Sequence, residues 1–185
     1  MRTGTHTIVF ALMVLAFATP ARAQTIVTPL MSVNIKTNSG FIDLDDASTQ
    51  THVGVGVSVS RLTGWFGVDG EVMWTPSAFS GGDLVESSRL VTATGRVLAI
   101  MPVRFRVRPY VSFGVGVAQM KSDDVAHLFA IDSSKPIATF GAGAWTWITP
   151  RVGVRASIDF LRTIRDVESA PFESWRPSAG VSIKF

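Results

Sequence analysis

The chain has 185 residues and no cysteine, and its 17 Lys and Arg against 14 Asp and Glu give a formal net charge of +3. The absence of cysteine excludes a disulfide scaffold and a thiolate site. A near-balance of charge is not a basic nucleic-acid footprint, so no nucleic-acid partner is predicted.

Residues 1–23 are typical of a secretory signal peptide. Arg2 precedes an apolar core at 8–18, and Ala21-Arg-Ala23 matches a small-residue cleavage site. The core is shorter than the roughly 20 residues that a transmembrane helix needs. We therefore expect export and removal of residues 1–23, which leaves residues 24–185 as one domain with a net charge near +1, because Arg2 and Arg22 are lost.

Period-two alternation predicts four strands in the first half of the domain, at 30–36, 52–60, 65–75 and 88–100. The strand at 52–60 is the clearest, because its valines alternate with glycine and serine. The strand at 88–100 is less regular: Leu98 and Ile100 continue the parity of Arg96 with apolar side chains. We predict a β-bulge near Gly95 as the explanation.

Four more strands are predicted at 109–120, 136–148, 152–162 and 175–185. Long polar loops are expected at 37–51, 76–87, 121–135 and 163–174, in alternation with short turns. Eight strands of about ten residues with this alternation predict an all-β fold, an eight-stranded antiparallel up-and-down transmembrane β-barrel. Its short turns would face the periplasm and its four long loops the exterior.

The chain resembles the small outer-membrane β-barrel proteins, which include the OmpA-type transmembrane domain and the OmpX-like and opacity-type porin-family barrels. The resemblance is based on the segments at 108–116, 140–145, 152–160 and 181–185. It implies a location in the cell outer membrane, with outer-membrane lipid and lipopolysaccharide as surroundings. It also implies that Phe185, with Ile183 and Val181 on the same face, forms a C-terminal signal for the outer-membrane assembly machinery.

Charged residues on the glycine and serine face of the strands are predicted to line the lumen. They are Asp69, Glu71, Arg96, Arg155 and Asp159. An eight-stranded barrel is just wide enough for side chains to fill, so these charges are expected to pair with one another. We predict that Arg155 bridges Asp69 or Glu71.

Aromatic residues near strand ends are expected to form interfacial girdles in the membrane. They are Trp65, Phe66, Trp74, Tyr110, Phe160 and Trp175, with Phe185 as a further candidate. The alternation leaves open whether Trp145 and Trp147 fill the lumen or join a girdle.

Enzymatic activity is not predicted, because the only histidines of the domain are His52 and His127 and no hydrolase or metalloprotease motif is present. No cofactor or metal site is predicted. The expected role is structural, or a surface interaction in which the four loops meet a host or surface ligand. The alternatives are a narrow pore, then a lipid-modifying enzyme that uses His52, and a soluble lipocalin-like barrel.

The long loops are acidic and the short-turn side is basic. The loop carboxylates are Asp43, Asp45, Asp46, Asp83, Glu86, Asp123, Asp124, Asp132, Asp166, Glu168 and Glu173, and the basic residues are Arg61, Arg104, Arg106, Arg108 and Arg151. Solvated loops explain this pattern, and a weaker hypothesis is that outer carboxylates share divalent cations with lipopolysaccharide phosphates.

Overall fold

The computed structural model describes residues 24–39, 51–76, 87–102, 106–123, 131–164 and 172–185. The strands are β1 (Gln24–Ser39), β2 (Thr51–Thr63), β3 (Phe66–Pro76), β4 (Ser87–Ile100), β5 (Val107–Asp123), β6 (Ile131–Trp147), β7 (Val152–Thr163) and β8 (Phe172–Lys184). Each pairs antiparallel with its neighbours in sequence, and β8 pairs with β1. Closure removes the exposed sheet edges. The predicted all-β, eight-stranded antiparallel barrel is confirmed.

The strands extend further than the hydrophobic alternation indicates. β1 begins at Gln24, which pairs with Leu62, so the expected start near residue 30 was wrong. Glu173 lies in β8 opposite Arg162 and not in a loop. β5 and β6 remain paired as far as Ser122 and Ile131. Backbone pairing therefore continues beyond the segments in which apolar and polar side chains alternate.

The predicted bulge near Gly95 is wrong. β4 pairs with β3 and with β5 in continuous register through Gly95. Leu98 and Ile100 point into the barrel like Arg96, and their side chains are buried. No bulge is needed because the barrel interior is apolar at this end.

The two faces of the strands have opposite chemistry. Outward side chains are large, apolar and exposed, such as Val53 at 53% and Phe113 at 62%. Inward side chains are buried; many are small, polar or charged, such as Ser58 and Ser60 at 0%, and those at the end of Leu98 and Ile100 are apolar. An apolar exterior around a polar interior is the reverse of a soluble barrel and is the pattern of a barrel in lipid.

Short connections lie at one end of the barrel, at 64–65, 101–106 and 148–151. The first is a tight turn in which Gly64 has a φ of +63°, a conformation that glycine adopts without strain. Segments 40–50, 77–86, 124–130 and 165–171 join the strands at the opposite end, which we call the long-connection end. Within the six described ranges, no helix is long and apolar enough to cross a membrane.

Candidate functional site: the barrel lumen

Two carboxylates on β3 form the centre of a buried ion network. Asp69 and Glu71 are two residues apart, so both point inward, and each is 3% exposed. Arg96 lies directly opposite Asp69 on β4 and donates from Nε to Asp69 Oδ2 at 3.0 Å. Its Nη2 contacts the carboxylates of both Asp69 and Glu71. Arg96 Nη1 also lies 3.0 Å from Asp159 Oδ1 on β7.

Arg155 on β7 reaches across the lumen to the same centre. Its Nη1 lies 3.3 Å from Asp69 Oδ1 and donates to Ser58 Oγ at 2.6 Å. Its Nε donates to the hydroxyl of Tyr110 at 2.7 Å. The structure thus places Arg155 against Asp69, one of the two partners predicted for it from the sequence.

Arg176 on β8 belongs to the network but was missed in the sequence. Its Nη2 contacts the Glu71 carboxylate, and its Nη1 donates to Thr92 Oγ1 at 2.9 Å. The sequence does indicate an inward Arg176, since this residue shares the parity of Ser178, Gly180 and Ser182. Its position before Pro177, near the expected start of the strand, concealed it.

The network is balanced in charge. Asp69, Glu71 and Asp159 contribute three carboxylates, and Arg96, Arg155 and Arg176 contribute three guanidinium groups, all 3% exposed or less. A buried charge is tolerated when it is paired and hydrogen-bonded. The six side chains therefore form a neutral polar layer across the middle of the lumen.

Glycines make room for these long side chains. A Cβ on Gly141 would overlap with Asp159 Oδ1, and a Cβ on Gly143 would lie 2.5 Å from the Tyr110 hydroxyl. A Cβ on Gly114 would lie 2.6 Å from Arg96 Cγ. The inward glycines let charged and aromatic side chains lie close to the barrel wall.

An apolar cluster fills the lumen at the short-turn end. We call it the plug, and its members are Ile26, Leu62, Leu98, Ile100, Tyr110 and Trp145. The rings of Tyr110 and Trp145 are 4.2 Å apart, and Trp147 packs against the plug. Trp145, whose orientation was left open, is 1% exposed and fills the lumen.

Tyr110 corrects the predicted aromatic girdle. It is 2% exposed, so it lies in the lumen and not at the membrane interface. Its parity is that of Ser112 and Gly114, which point inward. Tyr110 therefore contacts the plug through its ring and the ion network through its hydroxyl.

The other candidate girdle residues lie outside the barrel, towards its two ends. Trp65, Phe66 and Phe185 are exposed by 65%, 65% and 77% at the short-turn end. Towards the long-connection end, Trp74 and Trp175 are 48% and 44% exposed, and the half-buried Phe160 packs 5.0 Å from Trp175. Val181 and Ile183 share the outward face of Phe185, and their role in assembly stays a prediction.

Of the two histidines of the domain, the structure describes one. His52 is 8% exposed at the start of β2, while His127 lies outside the described residues. Among the described residues, no group of three His, Cys, Asp or Glu side chains could hold a metal ion.

The acidic loop residues fall largely outside the described side chains. Only Glu173 has a described side chain, and it lies 3.3 Å from Arg162 as an exposed ion pair. On the basic side, Arg61, Arg106, Arg108 and Arg151 lie at or near the short-turn end, and Arg104 lies outside the described residues.

A closed sheet with an apolar exterior and a charged lumen is the architecture of a transmembrane β-barrel. The family described as "Outer membrane protein beta-barrel domain" matches residues 9–185. The chain belongs to this family, and its predicted location in the outer membrane is confirmed.

Solved structures resemble the chain in fold. Neisserial surface protein A (NspA) has 12% identity over 89% of this chain and 98% of its own, with a TM-score of 0.66. OprG from Pseudomonas aeruginosa has 11% identity over 88% and 96%, with a TM-score of 0.62. Ail of Yersinia pestis has 16% identity over 87% and 98%, with a TM-score of 0.56. No curated protein matches in sequence. Such identities show a shared fold and leave activity open.

Proposed function

We propose that this protein is a non-conducting, non-enzymatic outer-membrane scaffold that presents its four long connections to a surface partner. One observation carries the proposal: side chains occupy the lumen at two successive levels. The ion network crosses its middle, and the plug closes its short-turn end. A filled barrel offers no aqueous path, so the functional surface is assigned to the segments that join the strands outside the membrane.

Conductance in a planar bilayer tests the closed lumen. The refolded protein is expected to give no reproducible current steps, while a general porin in the same bilayer serves as the positive control. Regular steps from the refolded protein would favour the narrow pore instead.

The surface interaction is tested with the barrel kept constant. Four variants each replace one connection, 40–50, 77–86, 124–130 or 165–171, by a short Gly-Ser linker. We expect at least one variant to lose adhesion of the expressing cells to host cells while it remains folded and in the outer membrane. If all four variants adhere normally but the cells become sensitive to detergent, the protein has an envelope-integrity role.

The charge of the four connections constrains the partner. These segments contain eight Asp and Glu residues and one Arg. Ail of Yersinia pestis has been crystallised with the heparin analogue sucrose octasulfate. A polysulfate is repelled by acidic segments, so we propose a cationic partner here, or one bridged by divalent cations. Once a partner is identified, its binding is measured with and without a chelator. A chelator should abolish binding that is bridged by divalent cations and should leave direct binding of a cationic partner unchanged.

The absence of enzymatic activity is proposed from the position of His52. General-base catalysis needs a side chain within hydrogen-bond reach of a bound substrate, and His52 is buried in the barrel wall. A lipid-hydrolysis assay is expected to give no product. If the unmodified protein hydrolyses lipid and a folded His52→Ala variant does not, the protein is an enzyme and the proposal is wrong.

A further inference from the structure

One interface between strands differs from the other seven. As far as the described ranges extend, seven pairs of neighbouring strands form unbroken ladders. The interface between β1 and β8, which we call the closing seam, lacks ladder pairs at residues 28–29 and again at residues 33–34 of β1. The register is the same before and after each of these two gaps. The gaps therefore come from missing hydrogen bonds and not from a slip of one strand along the other.

Two prolines account for both gaps. The N–H of Phe185 donates to the carbonyl of Thr25 at 2.9 Å, so the odd-numbered residues of β1 and β8 direct their backbone groups across the closing seam. Pro29 on β1 and Pro177 on β8 are both odd-numbered, and neither has an N–H to donate. The ladder pairs that would use these two donors are the ones that are missing.

The position of these prolines in their strands is unusual. A proline inside a sheet removes a ladder hydrogen bond and is normally confined to an edge strand. The other strand prolines lie where pairing ends: Pro76 is the last residue of β3, Pro109 lies near the start of β5, and Pro136 directly precedes the first pair of β6 with β7. Pro29 and Pro177 lie within the ladder, each on the side that faces the other strand. The closing seam thus joins two strands that each have the character of a sheet edge.

Side chains in the lumen hold the two gaps differently. At the first gap, the hydroxyl groups of Thr28 and Ser182 are hydrogen-bonded across the seam at 2.8 Å. At the second gap, the register places Asn34 opposite Arg176. Asn34 Nδ2 donates to Thr75 Oγ1 on β3 at 2.9 Å, and the guanidinium of Arg176 belongs to the ion network. These two side chains therefore attach β1 and β8 to other strands and not to each other.

The seam is also irregular between the second gap and the long-connection end. Its register shifts between Lys36 and Asn38. The hydroxyl of Ser174 donates across the seam to the carbonyl of Ile35, but the distance of 3.4 Å is long for such a bond. The part of the seam above the second gap is therefore held by fewer and weaker hydrogen bonds than the neighbouring interfaces.

We propose that the closing seam opens reversibly in the folded protein, from the long-connection end as far as the bond between Thr28 and Ser182. Local opening takes place where few hydrogen bonds hold the backbone. Asn34 keeps β1 on the β3 side and Arg176 keeps β8 on the ion network, so the two strands can separate without unfolding of the barrel. The open seam connects the upper lumen with the surrounding lipid, while the plug stays closed. This conformational change goes beyond the proposed function and does not depend on it.

Single thiols test the opening, because the chain has no cysteine of its own. Ser32→Cys and Ser112→Cys form a matched pair: both serines point into the lumen at 2% exposure, and neither Oγ has a hydrogen-bond partner among the described residues. Ser32 lies on β1 directly before the second gap, whereas Ser112 lies on β5 between two unbroken ladders.

The readout is the rate at which each thiol reacts with a maleimide that carries a long alkyl chain. The refolded full domain is placed in lipid vesicles, where this reagent reaches the barrel from the hydrocarbon. We expect the thiol of the Ser32→Cys variant to react about tenfold faster than that of the Ser112→Cys variant, because the seam beside Ser32 lacks a ladder hydrogen bond.

A second substitution in the Ser32→Cys variant tests the role of the missing donor. Pro177→Val restores an N–H at the second gap and should bring the reaction rate to within about twofold of that of the Ser112→Cys variant. Pro177→Ala restores the same donor and serves if Pro177→Val does not refold. Pro136→Val is the matched control, because it makes the same chemical change where the pairing of β6 with β7 begins, and it should leave the rate unchanged. Folding of each variant is checked by heat-modifiable migration.

Three results would overturn the proposal. The thiols of the Ser32→Cys and Ser112→Cys variants could react at equal rates, which would mean that the closing seam opens no more than the other interfaces. The fast reaction could persist after a folded Pro177→Val substitution, so that the missing donor is not its cause. A charged, water-soluble thiol reagent could also react faster with the Ser32→Cys variant than the alkyl maleimide does, which would show access from the aqueous end of the lumen and not through the seam.

Discussion

Arg155 joins the two buried parts of the lumen. Its Nε donates to the Tyr110 hydroxyl at 2.7 Å, while its Nη1 lies 3.3 Å from Asp69 Oδ1. Its guanidinium carbon lies 5.3 Å from the centre of the Tyr110 ring and 5.2 Å from that of Trp145. Arg155 therefore contacts both the ion network and the plug. Its removal would disturb the charge balance of the network and the packing of the plug together.

Replacement of Arg155 by Met is expected to lower the free energy of unfolding by about 3–5 kcal/mol, because removing one partner leaves buried negative charge incompletely compensated. The measurement is equilibrium urea unfolding in lipid vesicles. Arg162→Met is the control, since Arg162 forms an exposed ion pair with Glu173 and should cost less than about 1 kcal/mol. Equal losses in the two variants would contradict the role given to Arg155.

A double-mutant cycle on Glu71 and Arg176 tests the contact that the sequence did not reveal. Glu71→Gln, Arg176→Gln and the double variant should give a coupling energy of about 1–3 kcal/mol, as expected for residues within one ion network. The same cycle on the exposed pair Arg162 and Glu173 should give about 0.2–1 kcal/mol. Additive effects at Glu71 and Arg176 would mean that they do not interact in the membrane.

Parity along the strands predicted which charges face the lumen. Asp69, Glu71, Arg96, Arg155 and Asp159 share the face of glycine and serine, and the structure places all five in the interior. Parity is a local property of a strand, since successive side chains point to opposite faces, and one chain is enough to read it. Contacts across the lumen depend on how far side chains reach, and only the closed barrel determines them.

Two predictions from the sequence were wrong: the place of Tyr110 in the girdle, and the bulge that was inferred from Leu98 and Ile100. The parity of Tyr110 indicated the lumen, but its place near a strand end favoured the girdle, and the positional rule was wrong. The inward parity of Leu98 and Ile100 looked irregular because the whole lumen was assumed to be polar. Burial among apolar neighbours explains all three, since the plug removes their surface from water.

Gly141 provides a test of the packing between β6 and β7. Gly141→Ala would place a methyl group against Asp159, which is itself paired with Arg96, so we expect a loss of about 1–3 kcal/mol in vesicle unfolding experiments. Gly95→Ala is the matched control, because no atom lies within 4 Å of its added Cβ. That variant should be unchanged or stabilised by up to about 1 kcal/mol. Equal tolerance of both substitutions would contradict the described approach of Asp159 to β6.

A charge placed on the outward face is expected to destabilise the barrel by an amount that depends on its depth in the membrane. Val115 is 55% exposed beside Gly95, at the level of the ion network, whereas Val107 is 44% exposed where β5 begins at the short-turn end. Val115→Arg should destabilise the folded protein in vesicles by about 2–4 kcal/mol, and Val107→Arg by about 0–1 kcal/mol, because lipid excludes a charge most strongly at its midplane. Refolding both variants in detergent micelles should reduce the difference, since a micelle has no bilayer midplane. Equal costs in vesicles would mean that the valine face does not contact the hydrocarbon core, and the orientation of every strand would then have to be revised.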